Sequence, residues 1–135
     1  MEWLNNLFYN DIQNIPIYLL TLLVAFGVLG VSIFFHELGH LIYLRFKLKQ
    51  KDAKIRFVYN KLSNFYWQTG EKHHYNTMTN PQYKMVLLFG VLMGTLPILV
   101  SAFIWFPFAF LLYPYIVGCW NDLKNMDKAI KEDTK

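Results

Sequence analysis

His36, Glu37 and His40 stand in the run His-Glu-Leu-Gly-His. On a helix this spacing puts both imidazoles on one face, one turn apart, with the carboxylate offset by about 100°. Two neutral imidazoles so placed can grip one divalent ion, and zinc suits them. Zinc lowers the pKa of its water to about 7, and Glu37 beside that water is a general base for attack on a peptide carbonyl. With four His and four Glu in 135 residues, H-E-x-x-H arises by chance about 0.003 times at this composition, so the match is signal. The plainer reading is two interfacial histidines with Glu37 among lipid headgroups. It leaves three ionisable groups without partners at the end of an apolar span, which is costly.

The elements that must hold these residues are apolar. Hydrophobic residues make up 55% of the chain, aromatics 19% and charged residues only 16%, against about 25% charged in ordinary soluble domains. Two tracts carry no charge, Asn14 to Phe35 and Met85 to Asn121. The first is long enough to cross a bilayer, and apolar character resumes after the histidines at Leu41 to Leu44. Asn14 and Pro16 suit a helix start. No basic stretch precedes this tract, which argues against a cleaved signal peptide. The second tract has 37 residues, about 55 Å as one helix, which fits two spans joined near Ser101 to Pro107. Pro97 and Pro114 then fall inside those spans as kinks.

The expectation is one membrane-embedded, all-α domain over residues 1–135, with three transmembrane helices at about 15–45, 83–101 and 104–122. Between the first two lies a loop, 46–82. Ile55, Phe57 and Tyr59 alternate with Arg56 and Val58, Asn60 to Asn64 reads as a turn, and Phe65-Tyr66-Trp67 as a returning strand, giving a small β-hairpin. No Lys or Arg precedes Arg45. Nine of the thirteen lie between Arg45 and Lys84, and four between Lys124 and Lys135. The positive-inside rule therefore puts the loop and the tail, 123–135, in the cytoplasm and the N-terminus outside, in a multi-pass protein of the cell membrane. The net charge of +4 forms no stripe beside exposed aromatics, so nucleic acid is not an expected partner. One cysteine, Cys119, excludes an internal disulfide.

A catalytic zinc needs a third protein ligand and an open position. If the first and third helices run the same way, their cytoplasmic ends are neighbours, and Asp122 is the first charge after the second neutral tract. It is the leading candidate, since carboxylates at the hydrocarbon edge usually have a function. His73 and His74, in a polar loop, and Cys119, one turn before Asp122, are rivals. Gly90 and Gly94 form a G-x-x-x-G surface for close helix approach, and Gly27 and Gly30 offer a second one on the first helix.

The run Phe34-Phe35-His36-Glu37-Leu38-Gly39-His40 inside a transmembrane helix resembles the site-2 protease family of intramembrane zinc metalloproteases, of which this looks like a minimal or divergent member. The stretch Asn80-Pro81-Gln82-Tyr83-Lys84, followed by Leu87-Leu88-Phe89-Gly90, is similar to that family's entry into its middle helix. The resemblance implies a three-helix core, an Asp ligand on the third helix, a site near the cytosolic side and a membrane-associated β element, here Lys54–Gln68. The family's Asp-Gly pair is replaced by Asp122-Leu123. Asn121, just before the candidate ligand, is read as substrate-binding. The expected activity is hydrolysis of a peptide bond in a membrane-bound protein or peptide near the cytoplasmic face. Two other readings keep the metal. One is a non-proteolytic accessory or immunity protein, indifferent to loss of Glu37. The other is a metal-dependent oxidative enzyme acting on lipids, whose sites usually recruit more His and carboxylate ligands.

Overall fold

In the computed structural model, which describes residues 2–59 and 65–125, the chain is mostly helical, with one small antiparallel sheet. The expected turn at Asn60–Asn64 and most of the tail 123–135 lie outside the described residues. Helix α1 covers Glu2–Ile42 and continues into a wider π turn, Tyr43–Lys47. Strands β1, Ile55–Tyr59, and β2, Phe65–Thr69, follow, then a short helix α2, Lys72–Asn76. Helix α3 spans Asn80–Ile104, a 3₁₀ turn takes Phe106–Leu111, and α4 is Leu112–Gly118.

Two helical stretches, Asn14–Lys47 and Asn80–Ile104, are long and apolar enough to cross a membrane. Leu20, Leu23 and Phe26 on the first remain exposed, as residues facing lipid would. The helix does not start at Asn14 as expected: α1 begins at Glu2 and carries Pro16 within it. Proline costs one backbone hydrogen bond, a defect that a helix continued on both sides absorbs. The middle helix starts as its residues dictate. Pro81 lies in the first turn, where its missing N–H is no loss, and Gln82 Oε1 accepts from the Thr79 N–H at 3.1 Å.

The third apolar stretch departs from the single helix expected at 104–122. The chain turns at Trp105, runs through the 3₁₀ turn, forms the seven residues of α4 and loosens at Cys119, with residues 120–125 helical again. Proline explains the breaks ahead of α4, since Pro107 and Pro114 each sit in a first turn and lack the donor that a continuous helix would need. The last turn stays attached through Leu123 N–H to Cys119 C=O at 3.1 Å.

The hairpin forms with Phe57 opposite Trp67 and Ile55 opposite Thr69. It leans on α1 through Trp67, whose ring meets Phe57 at 5.1 Å and Phe34 at 5.9 Å, both edge-on. Gly70 ends β2 with φ of 72°, a left-handed conformation that glycine adopts without strain.

Two buried clusters flank the middle of the structure. Leu44, Ala53 and Val86 join the π turn and its following loop to α3. Ile98, Tyr115 and Cys119 join α4 to α3, with Val28 and Leu29 of α1 packed alongside. The candidate site lies between them.

Candidate metal centre

α1 and α3 cross unusually closely, and glycine is the reason. A Cβ on Gly39 would lie 2.7 Å from the Phe89 carbonyl oxygen and 3.0 Å from the Gly90 Cα. A Cβ on Gly90 would strike the His40 imidazole, and one on Gly94 the Tyr115 hydroxyl. The G-x-x-x-G surface therefore does more than bring helices together: it holds the space for a candidate ligand ring and for the phenol behind the other one. Gly27 and Gly30 have no such role, since a Cβ at either meets nothing within 4 Å among the described residues.

His36, His40 and Asp122 converge, with one ligand atom from each lying within 4.8 Å of the others. His36 Nε2 lies 2.8 Å from Asp122 Oδ2 and 3.0 Å from His40 Nε2, while His40 Nε2 lies 3.5 Å from Asp122 Oδ2. Both imidazoles are buried, and the carboxylate is partly so.

The hydrogen-bond partners assign the tautomers. His40 Nδ1 lies 2.9 Å from the Val86 carbonyl oxygen, which can only accept, so Nδ1 carries the proton. Tyr115 donates its one hydroxyl proton to the Val91 carbonyl at 3.0 Å, so its oxygen accepts from His36 Nδ1–H, also at 3.0 Å. Both Nε2 atoms are then lone-pair acceptors facing each other and a carboxylate oxygen. In the neutral rings these three inward-facing acceptors could hold a cation. Separations of 2.8, 3.0 and 3.5 Å resemble the edges, about 3.3 Å, of a tetrahedron of ligands around zinc. The two-nitrogen, one-oxygen donor set fits zinc, and Val86 and Tyr115 orient the rings as outer partners of metal-bound histidines do.

Glu37 is beside this cluster, not in it. Its Oε2 accepts from Thr69 Oγ1 at 2.7 Å, and the same hydroxyl lies 2.9 Å from the Glu37 backbone oxygen. Glu37, His40 and Asp122 line a polar cleft of about 230 Å³ together with Thr69, Tyr75 and Tyr83. His36, Glu37 and Asp122 also border a larger groove of about 700 Å³, walled by Leu29, Ile33, Phe57, Trp67, Pro114 and Cys119. Asn121 is on the wall of this groove.

The rivals for the third ligand sit elsewhere. Cys119 Sγ is 3.5 Å from His36 Nδ1, the ring nitrogen opposite the one that faces Asp122. His73 and His74 lie against Asp52, with Nε2 to Oδ2 distances of 3.3 and 2.9 Å. There the Glu71 N–H donates to His74 Nδ1 at 2.8 Å, so in the neutral ring Nε2–H points at Asp52. That is a hydrogen-bonded clasp, with a donor where a metal ligand needs a lone pair. The His73 hydrogen bond holds the Asp52 carboxyl below its usual range.

Sequence reasoning had no reading for Tyr115 or Thr69. Tyr115 had a signal, because 115, 119 and 122 follow the i, i+4, i+7 spacing of one helix face. Thr69 had none, since its partner is 32 positions away. No protein-family model matches the chain, and neither a curated protein nor a solved structure matches it.

Proposed function

We propose that the chain is a membrane zinc endopeptidase of the site-2 protease kind, cutting a peptide bond of a membrane-bound substrate close to the cytoplasmic face. One observation carries this reading: two lone-pair imidazoles and a carboxylate turned toward one another, with Glu37 lining the same cleft. His36, His40 and Asp122 would hold the metal. A bound zinc supplies Lewis acidity toward a carbonyl and acidifies water. Glu37 takes a proton from the attacking water and passes it to the leaving amine nitrogen. Thr69, Tyr75 and Tyr83 give that water a polar approach through the cleft. The larger, more apolar groove suits a chain arriving from lipid, with Asn121 at its wall. The β-hairpin offers an edge on which an extended substrate can pair, which exposes carbonyls that a helix would hide.

In this reading the broken third stretch also spans. Its 3₁₀ and α-helical turns over residues 106–125 reach about 33 Å, against a hydrocarbon core of about 30 Å. Three spans put the N-terminus outside and the basic loop and tail in the cytoplasm.

The test is a purified full-length chain in proteoliposomes with co-reconstituted single-span peptides. Cleavage that requires zinc and is lost in Glu37→Gln, with zinc content unchanged, is the expected result. Undiminished cleavage by Glu37→Gln would sink the proposal.

A further inference from the structure

Thr69 belongs to the hairpin, yet its side chain reaches the residue between the two histidines. Its hydroxyl has one proton and two acceptors on Glu37, Oε2 at 2.7 Å and the backbone oxygen at 2.9 Å. The first contact orients the carboxylate. The second ties strand β2 to the turn of α1 that carries the H-E-x-x-H run. Thr69 is itself buried and held from behind, because the Tyr75 hydroxyl donates to the Thr69 carbonyl at 2.7 Å. Burial first, and then the charge of Glu37, push the Tyr75 phenol above its ordinary range, so it stays a donor at any physiological pH. Trp67, two residues earlier on the same strand face, stacks edge-on against Phe34. The strand that carries Thr69 is therefore anchored on both sides of the contact.

A carboxylate with free rotation about its side-chain bonds spends much of its time away from the water it must deprotonate. A hydrogen bond from a neutral donor selects one rotamer without cancelling the charge. It occupies one oxygen and leaves the other available as the base. From this geometry we infer that Thr69 is the positioning residue for Glu37, which makes the hairpin a working part of the hydrolytic site and not only a covering of it. The inference rests on the hydrolytic reading of Glu37. A hairpin displaced by an incoming chain would carry Thr69 with it, so alignment of the base is linked to occupancy of the groove that Trp67 and Phe57 wall.

The test needs no natural substrate. The full-length chain in detergent is loaded with Co²⁺ and titrated with acetohydroxamate, followed through cobalt's visible bands. The probe binds the metal through its oxygens and hands its proton to an adjacent carboxylate, so its affinity reports where Glu37 stands. The expected result is a loss of about tenfold in Glu37→Gln and a similar loss in Thr69→Val. Thr69→Ser restores binding, and Thr69→Val adds nothing in the Glu37→Gln background. Wild-type affinity in Thr69→Val beside weakened Glu37→Gln would overturn the positioning role while leaving Glu37 its task. Wild-type affinity in Glu37→Gln would remove Glu37 from the metal and both readings with it. Thr69→Ala is carried in parallel. If neither Thr69→Val nor Thr69→Ala loads cobalt while Thr69→Ser does, Thr69 serves the fold and the proposal fails.

Discussion

Gly90 lies where any side chain would occupy the space of the His40 imidazole, so a glycine on one helix sets the position of a candidate metal ligand on another. The atoms that a Cβ there would meet belong to the His40 ring itself, so it is the candidate ligand that must yield.

Gly90→Ala is expected to displace His40, at a cost of about 1–3 kcal/mol in stability from overpacking and with a clear loss of zinc affinity. Gly27→Ala, where a Cβ meets nothing within 4 Å, should change neither. Thermal unfolding in detergent and competitive zinc titration read both quantities. Equal affinity in the two variants would refute the steric account.

Tyr115→Phe removes the oxygen that accepts from His36 Nδ1–H and the donor to Val91. The ring loses its fixed orientation and its tautomer. Losses of about 10- to 100-fold in metal affinity follow from removing such an outer partner. A chelator competition series measures this, with Tyr113→Phe, on an exposed residue, as the control expected to match wild type.

The third ligand can be counted. Purified wild type should hold about one zinc per chain, and Asp122→Ala should lose most of it. His73→Ala combined with His74→Ala should hold as much as wild type, because those rings face Asp52 and not the cluster. Zinc lost in the double variant and kept in Asp122→Ala would reverse the assignment.

The Asp52 clasp has a pH signature with a definite sign. Its folded-state pKa is depressed, first by the hydrogen bond from His73. Its contribution is therefore present above the ordinary carboxylate pKa of about 3.9 and is lost as pH falls through the lowered folded value. Asp52→Asn should destabilise the chain relative to wild type near neutral pH, and the two melting curves should converge as the solution is acidified below pH about 4. A difference that stays constant well below pH about 4, through the lowered folded value, would exclude the carboxylate as its source.

Much of the site's local grammar was readable in order along the chain. His36 and His40 share a helix face because 3.6 residues per turn require it, and the alternation at Ile55 to Tyr59 produced a strand with its partner in place. The apolar tracts suggested three spans, and two helices are long and apolar enough for a bilayer. Helix ends were less legible. Pro16 reads as a start but lies inside α1, since a proline marks a boundary only when nothing helical precedes it. Pro107 and Pro114 broke the third stretch, where the charge-free run alone suggested one continuous helix.

The pair of histidines, the carboxylate between them, the hairpin and the apolar character of what carries them were all legible along the chain, because each depends on neighbours within a turn or a strand. Only the tertiary structure decided which distant groups face that pair. Asp122 reaches His36 across 86 positions, Tyr115 across 79 and Thr69 reaches Glu37 across 32. Such contacts follow from how closely α1 and α3 approach at Gly39 and Gly90. That distance is set by missing side chains, which the G-x-x-x-G spacing at Gly90 and Gly94 signals without saying which groups on the facing helix they meet.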